Sequence, residues 1–237
     1  MRILLISDVH ANPWALWAIE ADAGPVDRIF FAGDAVNYGP DPSDSIMWLD
    51  QHEVVGVRGN HDHAVAFGVD PKASPAKAPL ALAMRDWTRN RLTPDQTGWL
   101  LKLPRHLDVQ AGGARFTMVH GTPVDPLYDY RLKPDSSEAL LNALVGEVRA
   151  DVLVVGHTHL PLVRSFDSLK IVNPGSVGQP LDGDPRTAYA IWEDGEISLH
   201  RAEYDRTSAL DALAKTGLQA NLLSELKNTL RRGAISS

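Results

Sequence analysis

Runs of apolar residues, each closing on a small cluster of polar ones, recur along the chain. Arg2 to Ser7 is a continuous run rich in Ile and Leu, which suits a strand buried on both faces. Asn12-Pro13 gives an N-cap followed by proline at the first helical position, predicting a helix to about Ala23, where Gly24-Pro25 ends it. A second run, Arg28 to Ala32, leads into Gly33-Asp34. A helix is predicted over Pro42 to His52, and a third run, Val54 to Val57, ends in Gly59-Asn60-His61-Asp62. This repeated order of strand, polar loop and helix is the βαβ alternation of a parallel sheet, in which the C-terminal ends of the strands carry the chemistry.

Residues 63–105 change character. They are rich in Ala and Pro, with Ser74-Pro75 and Thr93-Pro94-Asp95-Gln96 as helix starts, the second a capping-box pattern. A helical excursion beside the core is expected there. Strand-like runs resume at Arg115–Val119, Val152–Val155, Leu162–Phe166, Lys170–Val172, Thr187–Trp192 and Ile197–Arg201, with a helix over Ser136–Arg149. Tight turns such as Asp194-Gly195 point to antiparallel pairing among the later strands. The tail from Thr207 to Arg232 reads as helical. With no internal repeat, low-complexity tract or linker, residues 1–237 are expected to form one domain.

Composition narrows the function. A net charge of −7 repels nucleic-acid polymers and anionic membranes. The absence of cysteine removes disulfides, thiolate metal sites and cysteine nucleophiles. The N-terminal apolar run is broken by Asp8 and is too short for a signal-peptide core or a membrane span, so a cytoplasmic location is expected. A symmetric homodimer is the default assembly.

Five polar clusters stand where a strand hands over to a loop: Asp8-Val9-His10, Gly33-Asp34, Gly59-Asn60-His61-Asp62, His120-Gly121 and Gly156-His157-Thr158-His159. Their oxygen and imidazole donors suit Mn²⁺, Fe, Co²⁺ or Zn²⁺, and without cysteine the set points to a catalytic site and not a closed structural one. On an extended backbone His157 and His159 would point to the same side and reach a shared metal cluster. Taken singly each cluster has a structural account: a turn, a left-handed Asn, a core histidine hydrogen-bonded to backbone. None of these accounts for their order.

That order resembles the calcineurin-like metallophosphoesterase superfamily, whose pattern is Asp-X-His, Gly-Asp, Gly-Asn-His-Asp/Glu, His and Gly-His-X-His. The likeness runs from residue 4 to about residue 192. The stretches 33–42 and 172–180 look like its small bacterial and archaeal group, often labelled diadenosine tetraphosphatase-like or cyclic phosphodiesterase-like. The resemblance implies an α/β fold, a four-layer αββα sandwich, with the excursion at 63–105 shading the site. It implies two divalent ions, with Mn favoured in vitro: Asp8, His10 and His159 on one, Asn60, His120 and His157 on the other, and Asp34 bridging them. A bridging hydroxide would be the nucleophile, and His61 would protonate the leaving oxygen or stabilise its charge.

In the phosphatase branch a second Asp orients this histidine; here that position is Asn37, placed to accept a hydrogen bond through its amide oxygen. Arg58 and Arg186 are candidate contacts to substrate phosphate, with no motif assigning the role to either. The expected function is hydrolysis of a phosphodiester or pyrophosphate bond in a small nucleotide. A phosphomonoesterase is the alternative within enzymes, and a non-catalytic scaffold like the metallophosphoesterase-fold subunit of the retromer coat is the alternative outside them. Every ligand position and His61 are filled, which argues against the scaffold. Asn173-Pro174-Gly175-Ser176 reads as a turn, and Trp14, Trp17 and Trp48 as packing groups on helices.

Overall fold

The computed structural model describes residues 1–75 and 77–234. One sheet contains β1 (Arg2–Ile6), β2 (Arg28–Phe31), β3 (Val55–Gly56), β9 (Thr187–Glu193) and β10 (Glu196–Ala202), in the order β10-β9-β1-β2-β3. The pairs β1/β2 and β2/β3 are parallel, and β1/β9 and β9/β10 antiparallel. The second sheet contains β4 (His106–Ala111), β5 (Ala114–Val119), β6 (Val152–Val154), β7 (Leu162–Phe166) and β8 (Leu169–Asn173), in the order β4-β5-β6-β8-β7, with β5, β6 and β8 parallel.

The sheets face each other across Ile3, Leu5, Phe30, Phe116, Val154 and Trp192. Phe116 sits edge-on to Phe30 and Trp192 at centroid distances of 5.0 and 5.3 Å, an arrangement favoured by the ring quadrupoles. The outer face of the first sheet, through Leu4, Ile6, Ile29 and Phe31, packs under α1 (Pro13–Ala23), α2 (Pro42–Gln51), α4 (Ala78–Arg89), α5 (Pro94–Lys102), α7 (Arg206–Ala214) and α8 (Ala220–Arg232). The outer face of the second sheet, through Leu153 and Ile171, packs under α6 (Glu138–Val145). Strands buried on both faces explain the unbroken apolar runs, and the four αββα layers follow from covering both sheets.

Several elements differ from the sequence reading. The strand β4 was not anticipated; its inward Leu107, Val109 and Ala111 alternate with exposed residues, a period-2 signal masked by its proximity to the helical stretch. It pairs with β5 across Gly112 and Gly113, both at positive φ. The tail is two helices and not one, interrupted near Gly217, whose φ of 74° breaks a helix. The helix α6 is shorter than Ser136–Arg149, capped by the Ser137 hydroxyl and ending at Gly146. Trp48 is buried, whereas Trp17 is 44 % exposed.

Candidate metal centre

Strands from both sheets end at one edge and deliver the five clusters there. Asp8 and His10 follow β1, Asp34 follows β2, His120 follows β5, and His157 and His159 follow β6. Asn60 and His61 are the first residues of an additional helix, α3 (Asn60–Phe67), where the sequence suggested a loop. None of these residues is more than 6 % exposed, so their charges must be paired with one another or with a cation.

The clusters sit on bent backbone. Asp8, His10, Asp34, His157 and His159 have φ between 46° and 68°, the left-handed region that costs a residue with a side chain about 1–2 kcal/mol. His157 and His159 therefore reach the centre from a kinked backbone, not the extended one expected, and they enter different groups. Glycines permit the close approach: a Cβ on Gly59 would stand 2.0 Å from Asp34 Oδ1, and one on Gly156 1.9 Å from Ser7 Oγ. Such strain persists where surrounding contacts over-determine the loop. Here the contacts are Asp8 N–H to the Gly33 carbonyl, His10 N–H to the Asp34 carbonyl and Gly156 N–H to the His120 carbonyl.

Two groups of donors emerge, Asp8 with His10 and His159, and Asp34 with His120 and His157; within each, the facing atoms lie within 4.8 Å of one another. Both carboxylates accept backbone N–H groups while turning an oxygen inward. His157 N–H is shared between Asp8 Oδ2 at 3.1 Å and Oδ1 at 3.3 Å, and Oδ1 also lies 3.3 Å from His159 Nε2. His61 N–H donates to Asp34 Oδ1 at 2.8 Å, leaving Asp34 Oδ2 3.1 Å from His120 Nε2 and 3.9 Å from His10 Nε2. Asp34 Oδ2 thus stands between the two groups, and the Asn60 amide oxygen lies 3.1 Å from His120 Nε2.

The histidines are oriented for cation binding. His10, His120 and His159 donate Nδ1–H to the carbonyls of Val36, Ala32 and Gln179, which fixes the tautomer and leaves each Nε2 facing inward. Imidazole nitrogens then confront each other, His10 Nε2 with His159 Nε2 and His157 Nδ1 with His120 Nε2, both at 3.1 Å. His157 Nε2 is buried without a partner. Two buried His/Asp groups of nitrogen and oxygen donors, converging without intervening donors of their own, fit a dinuclear divalent metal site.

Burial alone would raise the carboxyl pKa values, but His159 and His120 overcome it at Asp8, and His120 and His61 at Asp34, so both are held low. Burial pushes His10 down to about 3 and His61 down to about 4. His120 runs the other way: burial lowers it, yet Asp34 and Asp8 raise it to about 9, and His159 is raised beside Asp8. At neutral pH the ion-free chain therefore carries on His120 a proton that a cation must displace. Divalent-ion binding is expected to release protons and to strengthen as pH rises from 6 towards 9. Calorimetry in buffers of different ionisation enthalpy checks this, and pH-independent affinity without proton release would contradict it.

Three bracing residues went unassigned in the sequence. Asp62 accepts N–H donors from Asp34 (2.8 Å) and Gly59 (3.1 Å) on one oxygen and Val36 (3.2 Å) on the other, tying the β2 loop to the start of α3. In Asp62→Asn an amide NH₂ would face a backbone N–H. The expected cost is about 1–3 kcal/mol, a fall of roughly 2–12 °C in unfolding midpoint for a chain of this size, readable by calorimetric melting. Ser176 Oγ donates to the Asp8 carbonyl, and the Asn173 amide donates to the Gly156 carbonyl. The 173–176 turn thus clamps two ligand-bearing loops.

The centre forms the floor of a cleft of about 730 Å³, whose lining includes Asp34, His61, His157 and His159. Arg58 and Arg186 lie outside it. Arg58 is buried, donates to the Leu101 carbonyl and rests over Phe67, and Arg186 pairs with Asp184 at 2.6 Å. Neither arginine is thus among the residues that line the cleft above the centre.

A two-sheet sandwich with paired His/Asp groups at its strand ends defines a metal-dependent hydrolase of the metallophosphoesterase class. Residues 1–194 match the family described as the calcineurin-like phosphoesterase superfamily domain. A probable metallophosphoesterase of Methanocaldococcus jannaschii is 35 % identical over 183 residues, covering 76 % of this chain and 70 % of that protein. An uncharacterised protein of the same organism is 29 % identical, covering 91 % and 93 %. The crystal structure of a metallophosphoesterase from Sphaerobacter thermophilus superposes with a TM-score of 0.82 at 32 % identity, covering 99 % of each chain. The chain belongs to the calcineurin-like phosphoesterase superfamily.

Proposed function

We propose that this phosphoesterase hydrolyses a phosphodiester or pyrophosphate bond of a small nucleotide at a dinuclear centre. In this reading Asp8, His10 and His159 would hold one ion and Asn60, His120 and His157 the other, with Asp34 available to both. The observation that carries it is the position of Asp34 Oδ2 between the two groups, at the floor of an open cleft. Bound there, two divalent ions supply Lewis acidity, activating water near neutral pH and neutralising phosphoryl charge.

The chain's own groups do the rest. The start of α3 directs the His61 N–H at Asp34, setting the positive end of the helix beside the anionic centre. His61 lines the cleft with its ring 5.3 Å from that of His10. In this reading it would hydrogen-bond the leaving oxygen as water adds to phosphorus.

Hydrolysis of bis-p-nitrophenyl phosphate, p-nitrophenyl phosphate, a 2′,3′-cyclic nucleotide and diadenosine tetraphosphate, with Mn²⁺ and with chelator, tests this. Chelator-sensitive turnover of a diester or of the dinucleotide is expected. Turnover of the monoester alone would replace the reading with a phosphatase, and no turnover with any divalent ion would replace it with a scaffold.

A further inference from the structure

The wall of the cleft above the centre is built from two segments that carry no family motif, and each is fastened to the centre. The first, 70–75, is tethered where the Asn60 amide donates to the Pro71 carbonyl at 2.7 Å. Lys72 follows at a φ of 54°, its N–H held by Asp70. The second is the stretch 121–136, which leaves β5 directly after His120.

That second stretch has no helix or strand, yet it is internally bonded throughout. Gly121 N–H reaches the Pro126 carbonyl, Asp125 accepts from Leu127 and Tyr128, Thr122 bonds Asp129, and Ser136 closes onto the Arg131 carbonyl. Leu127 and Leu132 anchor it, at 3 and 2 % exposure. A long loop built this way presents its side chains at fixed positions, as compact functional loops do.

What it presents is aromatic and cationic. Tyr130 stacks on His157 at a centroid distance of 3.5 Å while remaining 39 % exposed, so its ring keeps surface for a second planar partner. Tyr128 lies under the Lys72 ammonium, 4.2 Å from its ring centre. Three lysines line the cleft: Lys77 is paired with Glu225 at 2.6 Å, whereas Lys72 and Lys133 enter no salt bridge among the described residues. Asp34 is the one carboxylate among the described lining residues. Once cations offset it, the wall has excess positive charge beside aromatic surface.

A single scissile phosphate needs neither feature, because the centre itself holds it. We infer that Tyr130, Lys72 and Lys133 form a subsite for the non-reacting arm of the substrate, the tyrosine stacking a nucleobase and the lysines holding a phosphate beyond the one attacked. The preferred class is then a nucleoside carrying two or more linked phosphates, and not a simple diester or a cyclic mononucleotide. A base stacked on an aromatic ring and a hydrogen bond to a charged group each strengthen binding about ten-fold or more. The cleft, at about 730 Å³, lies within the range that small-molecule sites occupy.

This inference rests on the phosphoesterase reading of the same cleft, so its test uses binding of hydrolysis-resistant probes to the Mn²⁺-loaded chain: α,β-methylene-ADP, methylenediphosphonate and methylphosphonate, followed by calorimetry. The nucleotide is expected to bind about ten-fold more tightly than methylenediphosphonate, and Tyr130→Ala to abolish that difference while Tyr130→Phe keeps it. Methylenediphosphonate is expected to bind roughly ten-fold more tightly than methylphosphonate, and Lys72→Ala or Lys133→Ala to narrow that gap. Equal affinities for the three probes, or gaps that survive in all the alanine variants, would overturn the subsite. Selective binding with no hydrolysis of any ester would leave the subsite standing and remove the catalytic reading instead.

Discussion

Asp34→Asn will bind both ions at least about 100-fold more weakly, beyond the ten- to hundred-fold carried by outer partners of a ligand, and lose nearly all hydrolysis. The reason is more than a lost charge. His61 N–H requires an acceptor where Asp34 Oδ1 now stands. An asparagine satisfies it by turning its amide oxygen to His61, which aims its NH₂ at the point between the groups where Oδ2 lies. A donor then faces the cations in place of a shared anion. Elemental analysis after gel filtration gives the ion count, and the melting curve in chelator shows whether the fold is intact. Two tightly held ions in this variant would contradict the bridging assignment.

Asn37→Asp will change how His61 responds to pH. The sequence suggests that Asn37 accepts from this histidine, but its amide is oriented the other way. Its Oδ1 accepts Tyr38 N–H at 3.1 Å, and its NH₂ donates to the Ala81 carbonyl at 3.2 Å and lies 2.6 Å from His61 Nδ1. With a donor facing it, Nδ1 must accept, so the His61 proton sits on Nε2 and the ring is neutral. Burial holds it so, with the pKa down at about 4. In the proposed reaction His61 would then serve as a neutral hydrogen-bond donor to the leaving oxygen and not as an imidazolium acid.

An aspartate at 37 would accept from Nδ1–H and favour the charged ring, raising the His61 pKa. The variant's rate on esters with poor leaving groups is expected to gain a limb that falls as pH rises through the raised pKa, a limb the parent chain lacks. His61→Ala should keep both ions and lose more activity on poor leaving groups than on aryl esters. A pH profile for Asn37→Asp that overlays the parent's, or equal losses on both ester types for His61→Ala, would contradict this role.

The residues of the centre were legible because each follows a buried apolar run, and a strand end is where a parallel sheet delivers polar groups. Their grouping, with His157 and His159 on different ions, came from the family resemblance and not from the residue pattern, whose extended backbone would have turned both to one side. Left-handed backbone instead sends them to different groups. The orientation of the Asn37 amide depends on Ala81, 44 positions away. Asp62 and the 173–176 turn act through backbone atoms of other loops, so their own identities give little sign of the role. The cleft wall was missed for a related reason. Lys72, Lys133 and Tyr130 lie in segments without periodicity, and only the hydrogen-bonded loop between β5 and α6 brings the last two to the site. Arg58 and Arg186 drew attention by charge alone, and packing spends that charge elsewhere.

Anomalous diffraction from a crystal grown with Mn²⁺, recorded at the manganese edge, tests the central claim most directly. The account predicts two peaks roughly 3.5–4 Å apart, one among Asp8, His10 and His159, the other among Asn60, His120 and His157, with Asp34 touching both. A single peak, or two that do not share Asp34, would contradict it.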